Sequence, residues 1–181
     1  MPICIALLRA VNLGSHNKVS MADLRAFVEK LGMEDVQTVV QSGNLAFRSA
    51  ASSPAKLEAL LESSAAKQLG LVTDFFVRTA REWQEIIAAN PFPREAKDDP
   101  SHLVMMTLRK APDRAAVAEL QAAIKGRELV RANGREAYFT YPDGIGNSKL
   151  TIAVIERKLG ARGTARNWNT ILKLGALAGA G

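Results

Sequence analysis

The sequence predicts an α+β protein of two tandem ferredoxin-like halves, each β-α-β-β-α-β around an antiparallel sheet, followed by a C-terminal helix. Three observations carry this. Short apolar runs and amphipathic helices alternate in the same order twice; a proline-rich stretch separates the two series; and turn signals sit between paired strand-like runs.

The first series opens with the apolar run Ile3 to Leu8, read as a buried strand. Ser20 and Asp23 form a capping box, after which Leu24, Phe27, Val28 and Leu31 repeat at helical spacing until Gly32. Val36 to Gln41 and Asn44 to Arg48 read as strands joined at Ser42-Gly43. Ser53-Pro54 opens a helix carrying Leu57, Leu60 and Leu61 and ending at Leu69-Gly70. A strand over Asp74 to Arg78 completes the half. Thr79 and Glu82 then cap a bridging helix that ends before Asn90-Pro91.

Residues 91–101, with Pro91, Pro93 and Pro100, are the expected linker between a first half at 1–90 and a second at 102–181. His102 to Leu108 reads as a strand and Asp113 to Lys125 as a helix with Val117, Leu120 and Ile124 inward. Asn133-Gly134 is a hairpin turn between Glu128 to Ala132 and Arg135 to Tyr141. A last helix of this series is expected from near Ser148 to Leu159-Gly160.

Composition bounds the class. With 48% hydrophobic and 23% charged residues the chain has the balance of a globular protein and no tract biased toward disorder. The lone Cys4 excludes an intrachain disulfide and fits a reducing cytoplasm. The N-terminal apolar run stops at Arg9, short of a signal peptide, and no stretch reaches the roughly 20 apolar residues of a membrane span. The expectation is a cytoplasmic protein without membrane contact. The net charge of +6 lies in the second half, where residues 91–181 carry fifteen Lys/Arg against nine Asp/Glu. That asymmetry favours an anionic partner, the alternative being a solvated basic face.

Several motifs occur in order: Leu7-Leu8-Arg9-Ala10-Val11-Asn12-Leu13-Gly14, His16-Asn17-Lys18-Val19, Gln41-Ser42-Gly43-Asn44, Tyr141-Pro142-Asp143-Gly144-Ile145-Gly146, Ser148-Lys149-Leu150-Thr151 and Arg166-Asn167-Trp168-Asn169-Thr170. Together they resemble the bacterial domain-of-unknown-function family DUF1697 over nearly the whole chain. The resemblance implies two ferredoxin-like halves and no established activity. Ala10 and Ser15 stand where members often carry Gly.

Chemically, Arg166, Asn167, Trp168 and Asn169 supply a planar cation, amides and an indole in four consecutive positions, a mixture suited to binding. The competing reading makes Asn169 or Thr170 a helix cap and Trp168 a core residue. The segment Asp143 to Lys149 reads as a glycine loop feeding a helix N-terminus, where Ser148 and Lys149 would meet phosphate or carboxylate, or as a plain loop with Ser148 as cap. It lacks the P-loop pattern. Arg9 and Asn12 follow the first strand, and Gln41, Ser42 and Asn44 flank a turn, each able to serve a ligand or merely the local backbone.

The leading functional expectation is a polar cleft between the halves for an anionic small molecule, a nucleotide included, lined by Arg9, Asn12, Gln41, Ser42, Asn44, Asp143, Ser148, Lys149 and Arg166 to Asn169. No cofactor is expected, two lone His and one Cys offer no His/Cys zinc site, and no motif decides whether a reaction is catalysed. Asp143 is the one acid/base candidate. A second reading is nucleic-acid binding through the basic half, with Tyr138, Phe139 or Tyr141 as an exposed stacking platform. A third is an interaction-only protein in which the Arg166 segment is an interdomain brace.

Overall fold

The structure, a computed structural model, describes residues 1–9, 18–40, 43–51 and 53–179. Its contacts divide the chain into two units, Met1–Glu85 with Leu172–Gly181, and Ile86–Ile171. The first contains β1 (Ile3–Leu8), α1 (Met21–Lys30), β2 (Glu34–Thr38), β3 (Asn44–Arg48), α2 (Pro54–Leu69) and β4 (Phe75–Thr79), and runs into α3 (Ala80–Ala88). The second contains α4 (Pro93–Asp98), β5 (Leu103–Leu108), α5 (Arg114–Ala123), β6 (Leu129–Asn133), β7 (Glu136–Thr140), α6 (Ile152–Leu159) and β8 (Gly163–Asn167), followed by α7 (Trp168–Gly179).

Each unit is built on one four-stranded antiparallel sheet, ordered β2-β3-β1-β4 in the first and β6-β7-β5-β8 in the second. β1 and β5 are the apolar runs that open the two series, and each is paired on both sides. Side chains alternate across a strand, so cross-strand partners share a face. In the first unit Cys4, Ala6, Leu8, Leu45, Phe47, Phe75 and Val77 meet Leu24, Phe27 and Val28 of α1 and Leu57, Leu61 and Ala65 of α2. In the second, Val104, Met106, Leu108, Val130, Ala137 and Phe139 meet Leu120 of α5 and Ile155 and Leu159 of α6. Burial pushes the Cys4 thiol up to about 11, with Glu82 adding to the effect, so it stays protonated at neutral pH.

The helix signals in the sequence have their expected chemistry. Ser20 Oγ accepts from the Asp23 amide at 3.0 Å, and Thr79 and Glu82 exchange reciprocal bonds, Thr79 N to Glu82 Oε2 at 2.7 Å and Glu82 N to Thr79 Oγ1 at 3.2 Å. The stretch 91–101 differs from the expected linker, since it holds α4 and a 3-10 turn at Pro100–His102. Pro93 presets the first helical turn, and Phe92 ahead of it is buried beneath the Arg131 guanidinium, 5.8 Å from the ring centroid. The boundaries between units fall within α3 and α7, and Leu172–Gly181 group with the first unit rather than with 102–181.

The outer edge of β4 is dressed by carboxylates. Its outward amides at Phe75, Val77 and Thr79 donate to Glu62, Glu58 and Glu82 at 2.9, 2.9 and 2.7 Å. Glu58 and Glu62 lie one helical turn apart on α2, so one helix face matches the two-residue repeat of the strand. These bonds satisfy an edge that would otherwise template another strand. Glu58 also lies 3.7 Å from Arg78 Nη1, and both residues are buried. Removing one member of such a pair strands the other charge, so Glu58→Ala is expected to cost about 3–5 kcal/mol in urea unfolding. Glu85→Ala, which loses only an exposed pair with Arg81, is expected within about 0.5 kcal/mol of the parent. Equal losses for the two would contradict this account of the β4 edge.

Candidate functional site

The Arg166 segment is a strand-to-helix junction. β8 can approach β5 because Gly163 has no side chain: a Cβ there would lie 2.4 Å from the Thr107 carbonyl oxygen. Arg166 folds back along its own strand, Nη1 donating to Thr164 Oγ1 and Ala165 O, both at 2.8 Å. Burial pulls the guanidinium down to about 10, leaving it charged at neutral pH. Asn167 Oδ1 accepts from the Thr170 amide at 3.1 Å and so caps α7. Trp168 is buried, its ring 6.4 Å from that of Tyr138 at 52°. Asn169 is exposed. Three of the four residues expected to bind thus serve the fold.

The glycine loop departs from expectation in a second way. Helix α6 begins at Ile152, with Thr151 as its cap accepting from Val154 N at 3.3 Å. Ser148 and Lys149 therefore precede the helix instead of forming its first turn. Ser148 Oγ accepts from Leu150 N at 3.0 Å and donates to Glu128 Oε1 at 2.6 Å, which uses the hydroxyl in a local turn. Tyr141 OH donates to Leu150 O at 3.0 Å, fastening the far end of the loop, and burial raises this phenol to about 12. Arg127 forks onto both oxygens of Asp143, Nε to Oδ2 at 3.0 Å and Nη2 to Oδ1. That fork, chiefly through the Arg127 hydrogen bond, holds the Asp143 carboxyl below its ordinary range.

Beside this loop lies a cleft of about 520 Å³. Leu120, Ile124, Leu150 and Val154 form an apolar floor, and Lys125, Glu128, Asp143, Asn147 and Lys149 stand around it. Lys125 and Lys149 are exposed, and among the described residues neither is in an ion pair.

The expected grouping of Lys149 with Arg166 is not what the sheet allows. Arg166 is the register partner of Met105, which also pairs with Tyr138, so these three share one face. Val104, Met106, Phe139 and Leu150 belong to the core on the other face, beneath α5 and α6. The sheet of the second unit therefore stands between Arg166 and the cleft. In the first unit, Arg9 makes backbone bonds, its N to Asp74 O at 3.0 Å and its O accepting from Thr73 Oγ1. Asn44 is fully buried and its Nδ2 donates to Val39 O at 2.8 Å, bracing the β2–β3 connection where Gly43 has φ 71°. Asn12, Gln41 and Ser42 lie outside the described residues. Tyr138, Phe139 and Tyr141 are all buried, so none is the exposed stacking platform expected of an RNA-binding sheet. Among the described residues no group of His, Cys, Asp and Glu is arranged to hold a metal ion, and no helix is long and apolar enough to cross a membrane.

The family profile described as "Protein of unknown function (DUF1697)" matches residues 1–138. The chain belongs to that family. A search of curated proteins returned no significant match to this DUF1697 chain. Among solved structures it is similar to a conserved bacterial protein from Streptococcus pneumoniae, with a TM-score of 0.76 and 23% identity over 98% of both chains. That likeness is one of fold. The family match ends ahead of the glycine loop and the Arg166 segment.

Sequence reasoning overlooked Lys125, Gly126 and Glu128, which line the opposite wall of the cleft in this DUF1697 protein, and Arg127 between them, which pairs with Asp143. A signal existed: four such residues between a helix and a strand, with Gly among three charges, mark a tight polar connection. A Cβ at Gly126 would meet Glu128 Oε2 at 2.2 Å, so a side chain there would displace the end of the Glu128 carboxylate. The Arg127 fork makes the Asp143 effect testable by its sign. A carboxyl with a depressed folded pKa adds stability above its unfolded value, and that contribution fades as pH falls through the folded value. In an NMR titration Asp143 is expected below the ordinary aspartate range, and Arg127→Ala should return it to about 3.9. An unchanged midpoint in Arg127→Ala would contradict the fork as its cause.

Proposed function

We propose that this protein binds a small phosphorylated or carboxylated molecule with an apolar portion, a nucleotide included, in the cleft between α5 and the glycine loop. The observation that carries the reading is the combination of two exposed lysines, Lys125 and Lys149, with an apolar floor in a cleft of about 520 Å³. That volume is typical of small-molecule sites, which combine apolar walls with few polar anchors. Arg127 offsets the Asp143 charge, and the two lysines outnumber the one remaining rim carboxylate, Glu128, so the net field an anion meets is positive. Asp143, Ser148 and Lys149 keep a place in this reading as wall, wall brace and anchor; Arg166, Asn167 and Trp168 are assigned to the fold. It is a binding proposal and assigns no reaction.

We further infer that each unit is a ferredoxin-like module, a reading supported by its antiparallel strand order and by two helices on one sheet face. A buried free thiol at Cys4 supports a reducing, cytoplasmic setting.

Thermal denaturation with inorganic phosphate, pyrophosphate and AMP tests the site. A ligand confined to the folded state stabilises it by about 2.7 kcal/mol at a hundred times its Kd, so the midpoint should climb with concentration. Joint replacement Lys125→Ala with Lys149→Ala should abolish the rise, and Arg166→Met should preserve it. A rise that survives the lysine pair, or none with any probe, would remove the proposal.

A further inference from the structure

We infer that the end of the second unit remote from the cleft is a docking surface for the backbone of duplex nucleic acid. The observation is topological. Strand pairing brings Leu108 opposite Gly163, Thr107 opposite Glu136 and Asn133 opposite Glu136, so the end of β5, the β6–β7 hairpin and the start of β8 come together. Two backbone bonds fasten them, Leu108 N to Arg135 O at 2.8 Å and Arg109 N to Arg162 O at 2.9 Å. The cleft lies at the other end, where Leu129 pairs with Thr140.

The residues gathered here are mostly cationic. Arg109 and Lys110 follow β5, Arg114 opens α5, and Arg131 and Arg135 sit on the hairpin. Arg157 and Lys158 occupy the last turn of α6, and Arg162 precedes β8. Against these eight cations stand Asp113, Glu136 and Glu156. Most of the net charge of +6 is therefore concentrated on one end of one unit. Lys110, Arg114, Arg131, Arg157, Lys158 and Arg162 are exposed.

Two features favour phosphodiester over other anions. Six of the eight cations are arginines, whose planar forks match phosphate oxygens. They also fall into two groups at opposite sheet edges: Arg114 and Arg131 beside β6, lining a depression of about 390 Å³, and Arg157, Lys158 and Arg162 beside β8. Three interstrand spacings separate those edges by about 14 Å. That matches the roughly 12 Å major groove of a duplex, so the two groups reach phosphates on its two walls. The aromatic rings of β7 lie in the core, which leaves backbone contact without base stacking and favours a duplex over a single strand. Arg131 is pre-oriented by the Phe92 ring and by its bond to Val130 O at 3.0 Å.

Fluorescence anisotropy with a labelled mixed-sequence DNA duplex of about 20 base pairs tests this, read across a salt series with the full chain. The unmodified protein should bind, with affinity falling steeply as salt rises. Arg114→Glu with Lys158→Glu should weaken binding at least about tenfold, whereas Arg25→Glu with Lys67→Glu, an equal charge change in the first unit, should weaken it far less. Unchanged urea midpoints would establish that both variants fold; if the first pair does not, Arg114→Gln with Lys158→Gln takes its place with the same expectation. Absence of duplex binding, equal losses in the two charge-reversed pairs, or tighter binding of a single strand or of polyglutamate would overturn the inference. A phosphate-dependent rise in thermal midpoint that persists in Arg114→Glu with Lys158→Glu keeps the cleft reading separate from this one.

Discussion

The two-sided pairing of the first strand in each unit is the constraint from which the rest follows. β5 is hydrogen-bonded to β7 along one side and β8 along the other, and β1 is held in the same way between β3 and β4. Both faces of these two strands are also buried, which is why the runs are apolar without alternation. Once β5 is fixed, its register decides what β8 presents to each face: Ala165 goes to the helix side with Met106, and Arg166 to the opposite side with Met105. A slip of one residue would exchange them. Gly163 holds that register, since any side chain there would collide with the Thr107 carbonyl.

Polar groups divide between those that complete the backbone and those left at the surface. Glu58, Glu62 and Glu82 accept the outward amides of β4, and Gln121 does the same for β6 by accepting from Val130 N at 2.8 Å while donating to Glu128 O at 3.2 Å. Charge-assisted bonds to such amides are stronger than neutral ones, and at a sheet edge they also block pairing with another chain. Asn44, Asn167 and Ser148 act similarly at turns and caps. Around the cleft Lys125 and Lys149 stand exposed, and at the far end of the second sheet Lys110, Arg114, Arg157 and Lys158 are exposed as well.

Elements with strong local chemistry were legible in the sequence. Ser20 and Thr79 each encode their cap within four residues, and the structure places them where that encoding requires; the Asn133-Gly134 signal marks the hairpin, but its turn lies one residue later, at Gly134 and Arg135, with Asn133 paired to Glu136 as the end of β6. The start of α6 was not legible, because Ser148 and Thr151 are both good caps and the choice between them is made by Glu128, twenty residues away, which engages the Ser148 hydroxyl. Strand β8 was hidden for a related reason. Gly-Thr-Ala-Arg-Asn has no apolar alternation, so only its pairing with β5 makes it a strand and assigns its faces. The Arg166 cluster looked like a binding motif because Asn caps, a buried Trp and a folded-back Arg use the same functional groups that ligands use.

The second sheet separates Arg166 from the cleft, and under the proposed binding function a small anion would meet Lys125 and Lys149 instead. Amide chemical-shift mapping during a pyrophosphate titration tests this most directly. The account predicts saturable shifts confined to Lys125 through Glu128 and Asp143 through Leu150, with Thr164 through Asn169 unmoved. Saturable shifts centred on Arg166 through Asn169, with the Lys125 and Lys149 segments silent, would contradict it.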